Sequence, residues 1–114
     1  MIGVKLEAGV LWIKPYGQRL DAAVAPTLRA AVADALAQRP HLTIINAESL
    51  TFVDSTGLGA IVAIMKQMDP QGALAIAGAG PNLKRLLAMT GLDQVFRLFP
   101  DVAQAEAALL GTAR

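Results

Sequence analysis

Two short apolar segments, separated by a segment long enough to form a helix, constrain the fold more than any other feature. The first, Leu42 to Ile45, is rich in β-branched residues and lies between Pro40 and Asn46, a pattern typical of a strand buried on both faces. The second is Ala73 to Ala77, which ends at a glycine. A helix between two such strands is the crossover that parallel pairing requires. The chain is therefore predicted to form an α/β fold with a mixed, mostly parallel sheet.

The remaining elements follow from local signals. Two extended runs around a glycine turn predict an N-terminal hairpin, and apolar residues at helical spacing predict four helices. In chain order, the predictions are strands at 4–7 and 10–14, a helix with Pro26 in its first turn that ends at Arg39, a strand at 42–45, a helix at 57–68, a strand at 73–77, a helix from Pro81 to Gly91, a strand at 95–99 and a helix starting at Asp101. The predicted order is ββαβαβαβα, in one domain over residues 1–114 with a single helical layer on the sheet.

Composition excludes several classes of function. The chain has no cysteine, which excludes a disulfide scaffold, cysteine–zinc sites and thiol catalysis. Ten basic and nine acidic residues give a net charge of +1, without the basic excess that nucleic-acid binding requires. The longest nearly apolar run, Gly57 to Met65, is too short to span a bilayer, and the first residues lack the apolar stretch of a signal peptide. We expect a cytoplasmic protein that binds no nucleic acid and inserts into no membrane.

The segment that points most strongly to a function is Phe52 to Gly59, with one carboxylate, two hydroxyls and two glycines where a strand gives way to a helix. One interpretation is structural: Asp54 or Ser55 caps the helix by accepting a hydrogen bond from a free backbone N–H. In the other, Ser55 is a phosphorylation site with Thr56 as the rival acceptor. A phosphate there would meet free N–H groups and the positive end of the helix dipole. Sequence physics alone leaves both interpretations open.

A catalytic interpretation of this segment has little support. A serine nucleophile needs a base, and the single histidine, His41, lies beside Pro40 rather than in the segment. The motif Gly-x-Ser-x-Gly is also absent. A small hydrolase that uses Asp54 and Ser55 is therefore disfavoured. We expect no enzymatic activity, no metal ion and no cofactor.

The segment Phe52 to Gly59 resembles the signature of the STAS domain family, and especially of bacterial anti-sigma factor antagonists. Two further segments are similar to that family: Arg19 to Arg29, around a Leu-Asp pair, and Thr90 to Phe96, around a threonine-glycine-leucine turn. One departure is Asn46, at a strand end where the family often has aspartate. The resemblance implies a STAS domain over nearly the whole chain.

The resemblance also implies a binding protein controlled by phosphorylation. In such antagonists an anti-sigma factor serine kinase phosphorylates the serine that matches Ser55. The unphosphorylated form binds that kinase and frees the sigma factor, and a PP2C-type phosphatase removes the phosphate. The alternative is a STAS subunit of a membrane transport assembly, such as a lipid-trafficking ABC system, which need not be phosphorylated. Because members of that kind often lack the serine, its presence favours the antagonist.

The helix after Ser55 is expected to contribute to the partner-binding surface. It carries apolar residues on every side, and a small domain with one helical layer does not easily bury them all. We expect an exposed apolar patch beside Ser55, where methionine can adapt to a partner. The alternative is a helix packed fully between the sheet and its neighbours. The predicted partner-binding residues are Asp21, Asp54, Thr56, Gly57, Leu58 and an exposed subset of Gly59, Ile61, Val62 and Met65.

Overall fold

The computed structural model describes residues 1–111, and residues 112–114 of the predicted domain lie outside that range. The strands are β1 (Ile2–Glu7), β2 (Val10–Pro15), β3 (Arg19–Leu20), β4 (Leu42–Asn46), β5 (Phe52–Val53), β6 (Ala73–Ala77) and β7 (Arg97–Phe99). The helices are α1 (Ala25–Ala37), α2 (Ser55–Lys66), α3 (Pro81–Thr90) and α4 (Val102–Leu110), with a 3₁₀ helix at Leu92–Gln94. The α/β fold predicted from the sequence is confirmed.

The main sheet has five strands in the order β1-β2-β4-β6-β7. β1 and β2 are antiparallel, and the other neighbours are parallel. The hairpin turns at Ala8 and Gly9, which both have positive φ (54° and 78°), as the tightest hairpin turns require. The two short strands β3 and β5 form a separate parallel pair, in which Leu20 lies opposite Val53. This small pair leads directly into α2.

The sheet is covered on both faces. Side chains such as Leu11, Ile45 and Ile76 pack against α1, α2 and α3, while alternate residues such as Ile44 and Ala75 pack against α4. The prediction of a single helical layer is therefore wrong. The central strands are apolar on both sides, so the second face also has to be removed from water.

Several elements differ from the predictions by one or two residues at their ends, and three differences have a clear physical reason. α2 begins at Ser55 rather than near Gly57, because Asp54 already caps it. β7 begins at Arg97 rather than Val95, because the 3₁₀ helix before it ends with Val95 still in a helical conformation. β3 and β5 were not predicted, because strands of two residues show no periodicity and their partners are distant in sequence. The strand Ala73–Ala77 is confirmed with the predicted bounds.

Candidate functional site

Ser55 is the first residue of α2 and is exposed where β5 meets that helix. The preceding residue, Asp54, has an extended backbone, and its Oδ1 accepts a hydrogen bond from the backbone N–H of Gly57 at 2.8 Å. Of the two candidate capping residues, the structure thus selects Asp54. The hydroxyl of Ser55 makes no hydrogen bond within residues 1–111, and it is presented to solvent.

Asp54 also connects α2 to the loop before α1. Its second oxygen, Oδ2, accepts a hydrogen bond from the backbone N–H of Ala22 at 3.3 Å. The backbone N–H of Asp54 in turn donates to the carbonyl oxygen of Leu20 at 3.3 Å. The loop that carries Asp21 is therefore held beside the start of α2.

Asp21 is held by contacts on both of its oxygens. Arg19 donates to Oδ2 at 3.0 Å, and the backbone N–H groups of Ala23 and Val24 donate to Oδ1 at 3.1 and 3.2 Å. The hydrogen bond from the Arg19 guanidinium is the largest cause that lowers the pKa of Asp21 below its usual value. The site therefore presents a second carboxylate, ionised at neutral pH, near Asp54.

The two glycines of α2 have different surroundings. Gly57 is buried against β3, and a Cβ at this position would collide with the carbonyl oxygen of Leu20. Glycine is therefore required at position 57 for the close approach of α2 to β3. A Cβ at Gly59 would instead have no atom of residues 1–111 within 4 Å, apart from its chain neighbours and the nearby backbone of α2. The packing of the domain gives no reason for a glycine at position 59.

Asn82 of α3 is a site residue that sequence analysis missed. Its Oδ1 accepts a hydrogen bond from the backbone N–H of Val53 at 2.6 Å, immediately before Asp54. An asparagine in the first turn of a helix gives no sequence signal for a partner 29 residues away. Through this contact, α3 helps to position the strand that ends at the candidate site.

α2 presents one face to solvent and buries the other. Gly57, Leu58 and Ile61 are buried, and Ile61 has no exposed surface, so these three of the predicted residues do not lie on the exposed face of α2. These residues share one side of the helix, which packs into the core together with Ala60 and Ile64. The residues of α2 that are exposed or half-buried are Ser55, Thr56, Gly59, Val62, Ala63, Met65 and Lys66.

A shallow groove continues this exposed face toward α1. It has a volume of about 130 Å³, and its walls include Arg29 and Ala33 of α1 together with Ala63 and Gln67 of α2. Ala63 was not among the predicted residues, although it lies on the same exposed side of the helix. Ser55, Gly59, Val62 and this groove form a continuous strip, because residues spaced three or four apart align along a helix.

The groups gathered at the site are suited to binding a partner. It presents a free hydroxyl, two carboxylates and a strip of small and apolar side chains. Within residues 1–111, no group of three or more His, Asp or Glu side chains is placed to hold a metal ion. None of the helices described in that range has both the length and the apolarity needed to cross a membrane.

Comparison with known proteins gives consistent results. The family model for the STAS domain matches residues 4–105. The chain is 26% identical over 89 residues to the anti-sigma-F factor antagonist RsfB of Mycobacterium tuberculosis, covering 78% of this chain and 73% of the relative. It is 29% identical over 100 residues to the anti-sigma F factor antagonist of Paenibacillus polymyxa, covering 85% and 84%. A crystal structure of an anti-sigma factor antagonist from Mycobacterium paratuberculosis aligns with a TM-score of 0.84 at 25% identity, covering 96% and 93%.

Proposed function

The chain belongs to the STAS domain family, and from this premise we propose that it is a cytoplasmic anti-sigma factor antagonist. In its unphosphorylated form it binds an anti-sigma factor serine kinase and releases the sigma factor or an equivalent target. The names of its relatives support this function. The observation that carries the proposal is the exposed hydroxyl of Ser55, which Asp54 leaves unbonded at the start of α2.

Phosphorylation of Ser55 would change the surface more than the fold. The kinase binds ATP with Mg²⁺ and supplies the catalytic base, which accepts the Ser55 hydroxyl proton as the γ-phosphoryl group moves from ATP to the Ser55 oxygen and ADP leaves. The phosphate adds roughly −1.5 to −2 charges next to Asp54 and near Asp21. Because Ser55 is exposed and the helix N-terminus favours negative charge, the domain stays folded. The added charge repels the partner surface that accepted the unphosphorylated site, and a PP2C-type phosphatase reverses the change.

The proposed kinase-binding surface consists of Asp21, Asp54, Ser55, Thr56, Gly59, Val62 and Met65. Gly57, Leu58 and Ile61 support it from below, because they are buried. Open space above Gly59 allows a backbone segment of the partner to approach the helix closely. Half-buried Val62 and Met65 add apolar area that a partner can cover.

The position of the phosphate is the first test. After incubation with the cognate kinase and ATP, mass spectrometry should place the phosphate on Ser55. Ser55→Ala should remove the modification, and Thr56→Val should retain it. Phosphate found only on Thr56 would contradict the proposal.

Partner affinity is the second test. Ser55→Ala should bind the kinase persistently, whereas Ser55→Asp should bind more weakly because it adds like charge beside Asp54. Calorimetry measures both affinities, and unchanged circular dichroism shows that both variants fold. A STAS subunit of a lipid-trafficking ABC system would bind its partner ATPase independently of this charge. Equal kinase affinities of the two variants would therefore count against the switch and favour that alternative.

A further inference from the structure

A groove of about 400 Å³ lies on the α4 face of the sheet, and none of the proposed kinase-binding residues lines it. α4 packs chiefly on β4, β6 and β7. The β1–β2 hairpin therefore extends beyond the helix on this face. The floor of the groove includes Ile44, and Val102 of α4 forms one wall. The groove is a concave surface between α4 and a hairpin that this helix covers only in part.

The hairpin supplies aromatic rings to the groove. Lys5 lies opposite Trp12, and Gly3 lies opposite Lys14, so these four side-chain positions share the α4 face. Tyr16 forms the far wall, with its ring against Gly3. A Cβ at Gly3 would lie 3.1 Å from both Cε2 and Oη of that ring. The Tyr16 ring can pack closely against position 3 because glycine has no side chain there.

The charges in the groove are positive. The Nζ atoms of Lys5 and Lys14 lie 5.5 and 5.4 Å from the ring centroids of Trp12 and Tyr16. Lys5 is also paired with the exposed Glu7 at 3.4 Å, whereas Lys14 makes no ion pair within residues 1–111. No described Asp or Glu lines the groove. An anion is the occupant that this charge distribution favours.

We infer that this groove binds a small aromatic carboxylate. The carboxylate would contact the ammonium groups of Lys14 and Lys5, and the flat apolar ring would lie against Trp12 and Ile44. Asn46 lines the same groove, and its Oδ1 already accepts a hydrogen bond from Glu48 N at 3.1 Å. Its NH₂ group is therefore the part left to donate to a carboxylate. The volume suits a ligand of one or two rings.

The test uses 2-naphthoate as the probe and the Trp12 indole N–H as the reporter. Trp12 is the single tryptophan of the chain, so its indole signal in a ¹H–¹⁵N spectrum is unambiguous. Addition of 2-naphthoate should shift this signal along a saturable curve. The neutral 2-naphthamide should bind about fivefold more weakly or worse, because it lacks the charge that the ammonium groups attract.

Variants connect the binding to the groove. Lys14→Gln should weaken 2-naphthoate binding about fivefold and leave 2-naphthamide binding unchanged. Lys84→Gln, at an exposed lysine of α3, should change neither. The remaining amide signals verify that each variant folds. Equal affinity for the naphthoate and the naphthamide, no Trp12 shift, or an equal loss in Lys84→Gln would overturn the inference.

Discussion

Asp54 and Ala22 are joined across two loops, because Oδ2 of Asp54 accepts a hydrogen bond from the Ala22 backbone N–H at 3.3 Å. The other oxygen of the same carboxylate caps α2 through Gly57 N. One side chain therefore fixes both the start of α2 and the loop that carries Asp21. Ser55 follows Asp54 directly, so its position depends on both contacts.

Removal of this carboxylate should cost more than removal of an ordinary helix cap. Asp54→Ala is expected to lower the free energy of unfolding by about 1–3 kcal/mol, because it removes the cap and the link to Ala22. Asp101→Ala is the matched control, since Asp101 caps α4 through a backbone bond from Gln104 at 2.8 Å. That variant should lose about 1 kcal/mol or less. If urea unfolding gave the same loss of unfolding free energy for Asp54→Ala and Asp101→Ala, the hydrogen bond to Ala22 would contribute nothing to stability.

Gly57 and Gly59 should respond in opposite ways to alanine. Gly57→Ala is expected to destabilise the domain by about 3 kcal/mol or more, because its Cβ collides with the Leu20 carbonyl. Gly59→Ala has open space and should stabilise α2 by up to about 1 kcal/mol. Thermal and urea unfolding measure both changes.

Kinase affinity completes the comparison of the two glycines. If Gly59 serves the close approach of a partner, Gly59→Ala should weaken kinase binding about tenfold while the domain becomes more stable. Unchanged affinity in calorimetry would mean that the glycine has no role in the interface. Ala103→Ser, at an exposed position of α4 on the other face, should leave affinity unchanged.

This contrast also shows what the sequence can and cannot predict. A cap at Asp54 or Ser55 and the strand Ala73–Ala77 were predictable, because capping and apolar runs are local properties, but the choice of Asp54 as the cap comes from the structure. The different roles of Gly57 and Gly59 were not, because they depend on Leu20, which tertiary packing brings to one glycine only. Similarly, helical periodicity could not show which side of an all-apolar helix would be buried. The contacts of α2 with α1 and β5 decide that Ile61 faces inward.

The ion pair between Arg19 and Asp21 should give stability that depends on pH. Because Arg19 lowers the pKa of Asp21 in the folded state, the contribution is fully present above the usual carboxyl pKa of about 3.9. This contribution to stability is lost as the pH falls through the lowered pKa of Asp21 in the folded state. The stability difference between the wild type and Arg19→Gln should therefore be constant near neutral pH and shrink in acid.

Two measurements check this pH dependence. A ¹³C titration of the Asp21 carboxyl should give a higher pKa in Arg19→Gln than in the wild type. Urea unfolding in acid should still show a stability difference between the wild type and Arg19→Gln. This remaining part does not depend on pH, because the Arg19 guanidinium also lies 4.4 Å from the Phe52 ring centroid. Arg29→Gln, at an exposed arginine of α1, should leave the Asp21 titration unchanged. An identical titration in Arg19→Gln would mean that the pair does not persist in solution.

Asn82 should stabilise β5, the strand that precedes the site. Its Oδ1 accepts a hydrogen bond from Val53 N at 2.6 Å, and Val53 is buried. Asn82→Ala is expected to lower the free energy of unfolding by about 1–3 kcal/mol, because a buried N–H loses its acceptor. Asn82→Asp keeps an oxygen at that position and should lose less. Hydrogen exchange at Val53 separates the two cases: the amide should lose protection in Asn82→Ala and keep most of it in Asn82→Asp. Equal protection in both variants would show that water or another group replaces Asn82.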